Sequence, residues 1–137
     1  MGFLIDTCVW IDVERGALAP ADVAKFTRDE PVFISPVTIA ELKFGADIAN
    51  DPRIREERIA AIARLRNKPL LLIDADTGVV FGRLAAYLKR VGQRPRQRIQ
   101  NLWLASQAIQ HSYRFLTRNK ADFADVPGLI LVTYTLA

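Results

Sequence analysis

A chain of 137 residues, 50% hydrophobic and 25% charged, is long enough to bury one core and reads as a single globular domain over 1–137. No apolar run nears the roughly 20 residues of a membrane span, and the lone cysteine, Cys8, excludes an intramolecular disulfide and suits a reducing cytoplasm. The formal net charge of +4 excludes little but favours a polyanionic partner such as nucleic acid.

Phe3 to Ile5 is apolar and bounded, so a short buried strand is expected, interrupted at Asp6; with Asp12 beyond it and no basic segment before it, no secretory leader is expected. A short helix follows from Thr7 and stops at Gly16, and Ala19 to Thr27 reads as a second, with Val23 and Phe26 inward. Pro31 precedes a strand at Val32 to Ile34. Ser35 and Pro36 then fit the cap and first turn of a helix reaching about Ala49. Within it Val37, Ala40, Glu41 and Phe44 share one face, which puts Glu41 on an apolar stripe. Asp51-Pro52 opens a helix with Ile54, Ala61, Ile62 and Leu65 inward. Leu70 to Ile73 reads as a third strand, before helices at about Ala75 to Arg90 and Ile99 to His111. The strand Arg114 to Leu116, a turn through Asp122 and a last strand Leu129 to Val132 complete an α/β pattern with a mostly parallel sheet.

Three carboxylates stand where apolar or loop residues would be ordinary. Asp6 ends a strand, Glu41 lies on a buried stripe and Asp122 sits in the turn after another strand. Such a carboxylate is costly unless paired or bound to a metal. In parallel sheets, ligand sites gather at the carboxyl ends of the strands, so these three point to one acidic site. Each has a plainer reading: Asp6 as a helix cap, Glu41 as half of a salt bridge, Asp122 as a turn residue. Thr117 is suited to orient a carboxylate or bond a turn backbone, and Asn119 to offer an amide oxygen. Asp74 reads as a cap, His111 as a helix-end residue and Cys8 as a small packed side chain. The basic run Lys89 to Arg98 fits either phosphate contacts or a solvated loop. No glycine-rich nucleotide loop is present.

Four segments carry a resemblance. Leu-Ile-Asp-Thr near the N-terminus, Thr-Ile-Ala-Glu-Leu-Lys-Phe-Gly (Thr38 to Gly45), Asn-Leu-Trp-Leu-Ala (Asn101 to Ala105) and Thr-Arg-Asn-Lys-Ala-Asp-Phe (Thr117 to Phe123) are similar to those of PIN-domain ribonucleases, and among them to the VapC toxins of toxin–antitoxin pairs. The resemblance implies a three-layer α/β/α fold and Mg²⁺- or Mn²⁺-dependent endonucleolytic cleavage of RNA, usually tRNA or rRNA. It also implies a VapB antitoxin as partner and a homodimer. Asp6 and Glu41 match the first two family acids. Asp122 matches an acid of the last motif, although some members place theirs where Asn119 stands. One departure is expected to matter: Asn101 occupies a position that is usually Asp. The change keeps an oxygen and removes a charge, so weaker metal binding and weakened or absent cleavage are expected. The alternatives are a domain that binds RNA or antitoxin without cutting, and a DNA-directed nuclease of the same fold.

Overall fold

Phe3, Leu4 and Ile5 do not alternate with polar residues, the pattern of a strand covered on both faces. In the computed structural model, which describes residues 1–136, they form an inner strand of the sheet. From this strand, β1 (Phe3–Ile5), the chain runs through α1 (Thr7–Glu14), α2 (Pro20–Thr27), β2 (Val32–Phe33), α3 (Pro36–Asp47), α4 (Pro52–Leu65) and α5 (Ala75–Arg90). A 3₁₀ turn at Pro95–Arg98 leads into α6 (Ile99–His111) and β3 (Arg114–Thr117); a second at Lys120–Asp122 precedes β4 (Ile130–Thr133). Side-chain caps set several helix starts. Ser35, Asp51 and Asp74 accept the N–H groups of Val37, Arg53 and Thr77 at 3.0, 2.9 and 3.0 Å.

The sheet order is β2-β1-β3-β4, and every pairing is parallel. Alternate residues of the inner strands feed different layers. Leu4 and Phe115 pack with Val80 and Leu84 of α5 and Leu104, Ala105 and Ala108 of α6. Phe3, Ile5 and Leu116 pack on the opposite side with Val9 of α1 and Val23 of α2. This is the expected three-layer α/β/α arrangement. A third cluster joins Ile34 to α3 and α4 through Leu42, Ala46, Ile62 and Leu65. The chain leaves β1 towards β2 on one side and later returns to β3 on the other. The crevice at this reversal, at the carboxyl ends of β1 and β3, is where a ligand site is expected in such a sheet. Among the described residues no helix is long and apolar enough to cross a membrane.

Three expectations are corrected. Leu70–Ile73 forms no strand: its sheet contact is one parallel bridge, Ile34 with Leu70, closed by the Leu71 N–H on the Ile34 carbonyl at 2.9 Å. The neighbouring strand turns into α3 at Ser35, so Leu72 and Ile73 have no backbone left to pair with and lie exposed. The inward face of α3 is also rotated from the expected one. Thr38, Leu42 and Ala46, spaced i, i+4, i+8, are buried, whereas Ala40 is exposed and Phe44 is 65% exposed. Glu41 therefore sits half-buried at the margin of the packed stripe rather than at its centre. Ile54 of α4, expected inward, is exposed as well.

Candidate metal centre

Asp6 follows the last residue of β1 and caps α1. Its Oδ1 accepts the Thr7 N–H at 2.8 Å, while Oδ2 accepts the Thr117 hydroxyl at 2.7 Å and lies 3.4 Å from Cys8 Sγ. The capping and site roles thus coincide in one side chain. The Thr117 bond spans the crevice between the ends of β1 and β3. Only 5% of Asp6 is exposed. Burial pushes its carboxyl upward against the lowering effect of its hydrogen bonds, and the negative charge of Asp122 adds to the rise.

Glu41 reaches the same edge from α3. Thr7 Oγ1 donates to Glu41 Oε1 at 3.1 Å and lies 3.0 Å from the Thr38 hydroxyl. Thr7 has one hydroxyl proton, which serves these two acceptors in turn. Burial raises the Glu41 carboxyl, and repulsion from Asp6 adds to the rise. No arginine or lysine among the described residues pairs with Asp6 or Glu41. The salt-bridge reading of Glu41 is therefore not what the structure shows.

The remaining candidates approach unequally. Thr117 is fully buried, donates to Asp6 and accepts the Asn119 N–H at 3.0 Å, so it orients the carboxylate and closes the turn together. Asn119 is half-buried beside it. Asp122 is exposed in its 3₁₀ turn and acts on Asp6 through its charge, without a hydrogen bond to it. Asn101 lies half-buried in the first turn of α6, on the face that also carries the buried Ala105 and Ala108. Among the described residues no three His, Cys, Asp or Glu side chains converge as a ready metal cluster. A neutral amide at Asn101 and a rim position for Asp122 leave the buried Asp6 and the half-buried Glu41 as the acidic pair.

The sequence reading missed the hydroxyls of Thr7 and Thr38 and a network behind the site. Asp12, 2% exposed, accepts Arg118 Nε at 2.8 Å and the Tyr134 hydroxyl at 2.8 Å. Arg98 forks onto Asp125 at 2.7 and 2.8 Å and donates to the Asp122 carbonyl at 2.6 Å. Cys8 is half-buried, and burial followed by the Asp6 charge pushes its thiol up to about 11, in keeping with a packed side chain. Asp74 caps α5 and His111 ends α6, as expected.

Residues 3–129 match the PIN domain family. Ribonuclease VapC5 of Mycobacterium tuberculosis is 32% identical over 130 residues, covering 91% of this chain and 87% of the relative. A crystal structure of VapBC-5 from the same organism, described as a member of the VapBC family of toxin–antitoxin systems, superposes with a TM-score of 0.75 at 26% identity, covering 97% of this chain and 98% of the other. VapBC2 of Rickettsia felis, solved with a promoter DNA fragment, superposes at 0.81 with 20% identity, covering 98% and 99%, a likeness of fold.

Proposed function

The chain belongs to the PIN-domain family, with VapC ribonucleases as its relatives, and on that footing we propose that it is a Mg²⁺- or Mn²⁺-dependent endoribonuclease toxin of a toxin–antitoxin pair, acting on tRNA or rRNA in the cytoplasm. The observation that carries this reading is the acidic pair itself. Asp6 and Glu41 meet at the carboxyl edge of the sheet through Thr7, both raised by burial, with no cationic side chain among the described residues to neutralise them. Oxygen donors that repel one another fit a hard divalent cation. Asp6 and Glu41, with the amide oxygen of Asn101 and the rim carboxylate of Asp122, would hold it.

The cation, when bound, supplies a more acidic water and a polarised phosphate. The protein's own groups do the rest. Thr117 and the Thr7 N–H hold Asp6 in one rotamer. Thr7, itself fixed by Thr38, aims Glu41 so that it can orient the attacking water and take its proton. In-line attack leaves a 5′-phosphate and a 3′-hydroxyl. Asn101 contributes an oxygen without a charge, so cation affinity and cleavage are both expected to be weak.

The partner reading rests on a different surface. An apolar channel of about 550 Å³ runs between α1, α2 and α4, lined by Trp10, Val13, Val23, Ala61 and Leu65. The Trp10 indole N–H on its wall is buried and finds no acceptor among the described residues. An amphipathic segment of a VapB-like antitoxin would fill this channel and satisfy the indole. Exposed Phe44, Ile48 and Val79 support a homodimer.

The deciding experiment is cleavage of total tRNA and rRNA with Mg²⁺ or Mn²⁺, with single-stranded DNA as competitor. The chain is run beside Asn101→Asp, with Asp6→Ala as blank. We expect Asn101→Asp to cleave RNA at least about tenfold faster than the chain as it stands, the effect of roughly 1.4 kcal/mol in the transition state. Equal rates would remove Asn101 as the cause of weakness. Cleavage by neither, although both bind the cation, would favour an RNA- or antitoxin-binding domain that does not cut, the reading that the neutral Asn101 supports.

A further inference from the structure

Glu41 forms part of the wall of a second cavity, of about 330 Å³, whose lining does not include Asp6. The cavity exists because of Gly45. Gly45 is the i+4 neighbour of Glu41 on α3, the position where a side chain would stand directly beside the carboxylate. Its backbone is not in the left-handed region, so no turn demands a glycine there. A Cβ built on it would meet only Arg58 Nη1, at 3.8 Å. A glycine inside a helix weakens that helix, and here the missing side chain opens a space instead of relieving a clash.

The walls of that space differ in kind. Ile11, Leu42 and Ile54, from three different helices, give it an apolar floor. Arg58 is fixed at one side, donating to the Gly45 carbonyl at 2.8 Å and lying 3.9 Å from Glu14. Arg15, with no ion pair among the described residues, and Glu57, 3.4 Å from Arg53, complete the lining. An apolar floor edged by two guanidinium groups and the carboxylates of Glu14, Glu41 and Glu57 matches a planar heterocycle with amino groups, which packs by its faces and is read along its edge. An aliphatic ligand would leave the Arg15 guanidinium unused, and a lone phosphate would leave the floor exposed.

We propose that the recess in front of Gly45 is a nucleobase subsite beside the Glu41 end of the acidic site, holding a base of the RNA next to the phosphate to be cut. This rests on the ribonuclease reading for its placement beside a reacting phosphate, but not for the binding itself. Arg15 and Arg58 flank the base and Glu57 accepts from its amino edge.

The test is a titration followed by amide NMR shifts, using the four ribonucleoside 5′-monophosphates, ribose 5-phosphate and N-acetylarginine methylamide as probes. The chain is compared with Gly45→Ala and Gly45→Leu. At least one nucleotide should bind about fivefold or more tightly than ribose 5-phosphate, the margin that stacking one base supplies. It should shift the amides around Gly45. Gly45→Leu fills the recess and should erase that margin while leaving ribose 5-phosphate unchanged. Gly45→Ala should keep part of it and melt no lower than the parent, since alanine favours the helix. A margin that is absent in the parent, or that survives Gly45→Leu, overturns the subsite. So does preferred binding of the arginine probe, which would assign the recess to a protein side chain. Cleavage by Asn101→Asp without any base margin sinks the subsite alone. A base margin without cleavage leaves the subsite standing and sinks the ribonuclease reading.

Discussion

Asp6 caps a helix and faces an acidic site at once, and these duties set its protonation in opposite directions. The cap bond and the Thr117 bond favour the charged form; burial, the larger effect, and the Asp122 charge favour the neutral one. Because its folded pKa lies above the ordinary 3.8, the stability linked to Asp6 is fully present below the unfolded value and is lost as pH rises through the folded value. Without a divalent cation, Asp6→Asn should therefore raise neutral-pH stability by about 0.5–2 kcal/mol, since Asn keeps the capping oxygen and sheds the charge. Melting curves in a chelator across pH should show the gap between parent and variant opening from about pH 4 upward. Added Mg²⁺ should raise the parent's melting temperature and leave the variant's unchanged. A variant that melts below its parent at neutral pH would mean that the hydrogen bonds outweigh burial. Asp6 was legible in the sequence because a charge ends an apolar strand. Its partner hydroxyl on Thr117 was legible only as a general orienting residue, since their bond joins positions 111 apart.

Helices and turns carry the second level of control. The turn that bears Asn119 and Asp122 is held from two sides, by Arg118 on Asp12 of α1 and by Arg98 on Asp125 and the Asp122 carbonyl. Arg98 lies one turn before Asn101, so it couples the two segments that carry the weaker half of the candidate ligand set. Arg98→Lys keeps the charge but cannot form the fork. It should cost about 1 kcal/mol, discounted because Asp125 is partly exposed. It should also speed amide exchange over residues 120–125 more than elsewhere. Uniform exchange across the protein would show that the fork adds only global stability. The sequence showed Arg98 as one more charge in a basic run, because nothing local distinguishes a solvated arginine from a bridging one. Glu41 was found by its helical spacing, yet the face was misjudged by about one residue. Thr38, rather than Val37, leads the packed stripe, and a buried polar residue does not advertise itself in an apolar pattern. Leu70–Ile73 read as a strand on composition, but a strand needs a partner and β2 had already ended.

At the scale of the whole molecule, layers and crossovers were legible because alternating apolar strands and amphipathic helices admit few parallel arrangements. Surfaces for other molecules were not, since a groove between α1, α2 and α4 is built from residues that look like core. Ala61 is half-buried on that groove. Ala61→Arg should place a charge in the channel and weaken association with a VapB-like antitoxin by at least about tenfold, roughly 1.4 kcal/mol. The fold should remain, as arginine is a good helix former. Co-purification with the antitoxin and a circular dichroism spectrum measure both effects; undiminished co-purification would move the partner to another face.

The parallel pairing of β1 with β3 has a consequence in time. Asp6 and Glu41 are synthesised early relative to Thr117, whose hydroxyl orients Asp6 across 111 positions. At about 5–20 residues per second, Asp6 and Thr117 are synthesised on the order of ten seconds apart. Throughout that interval β1 has no β3 beside it, and the crevice does not exist. A growing chain thus cannot assemble the crevice until the ribosome has passed Thr117. For a toxin of a toxin–antitoxin pair, the delay gives a co-expressed antidote time to be present when the site closes.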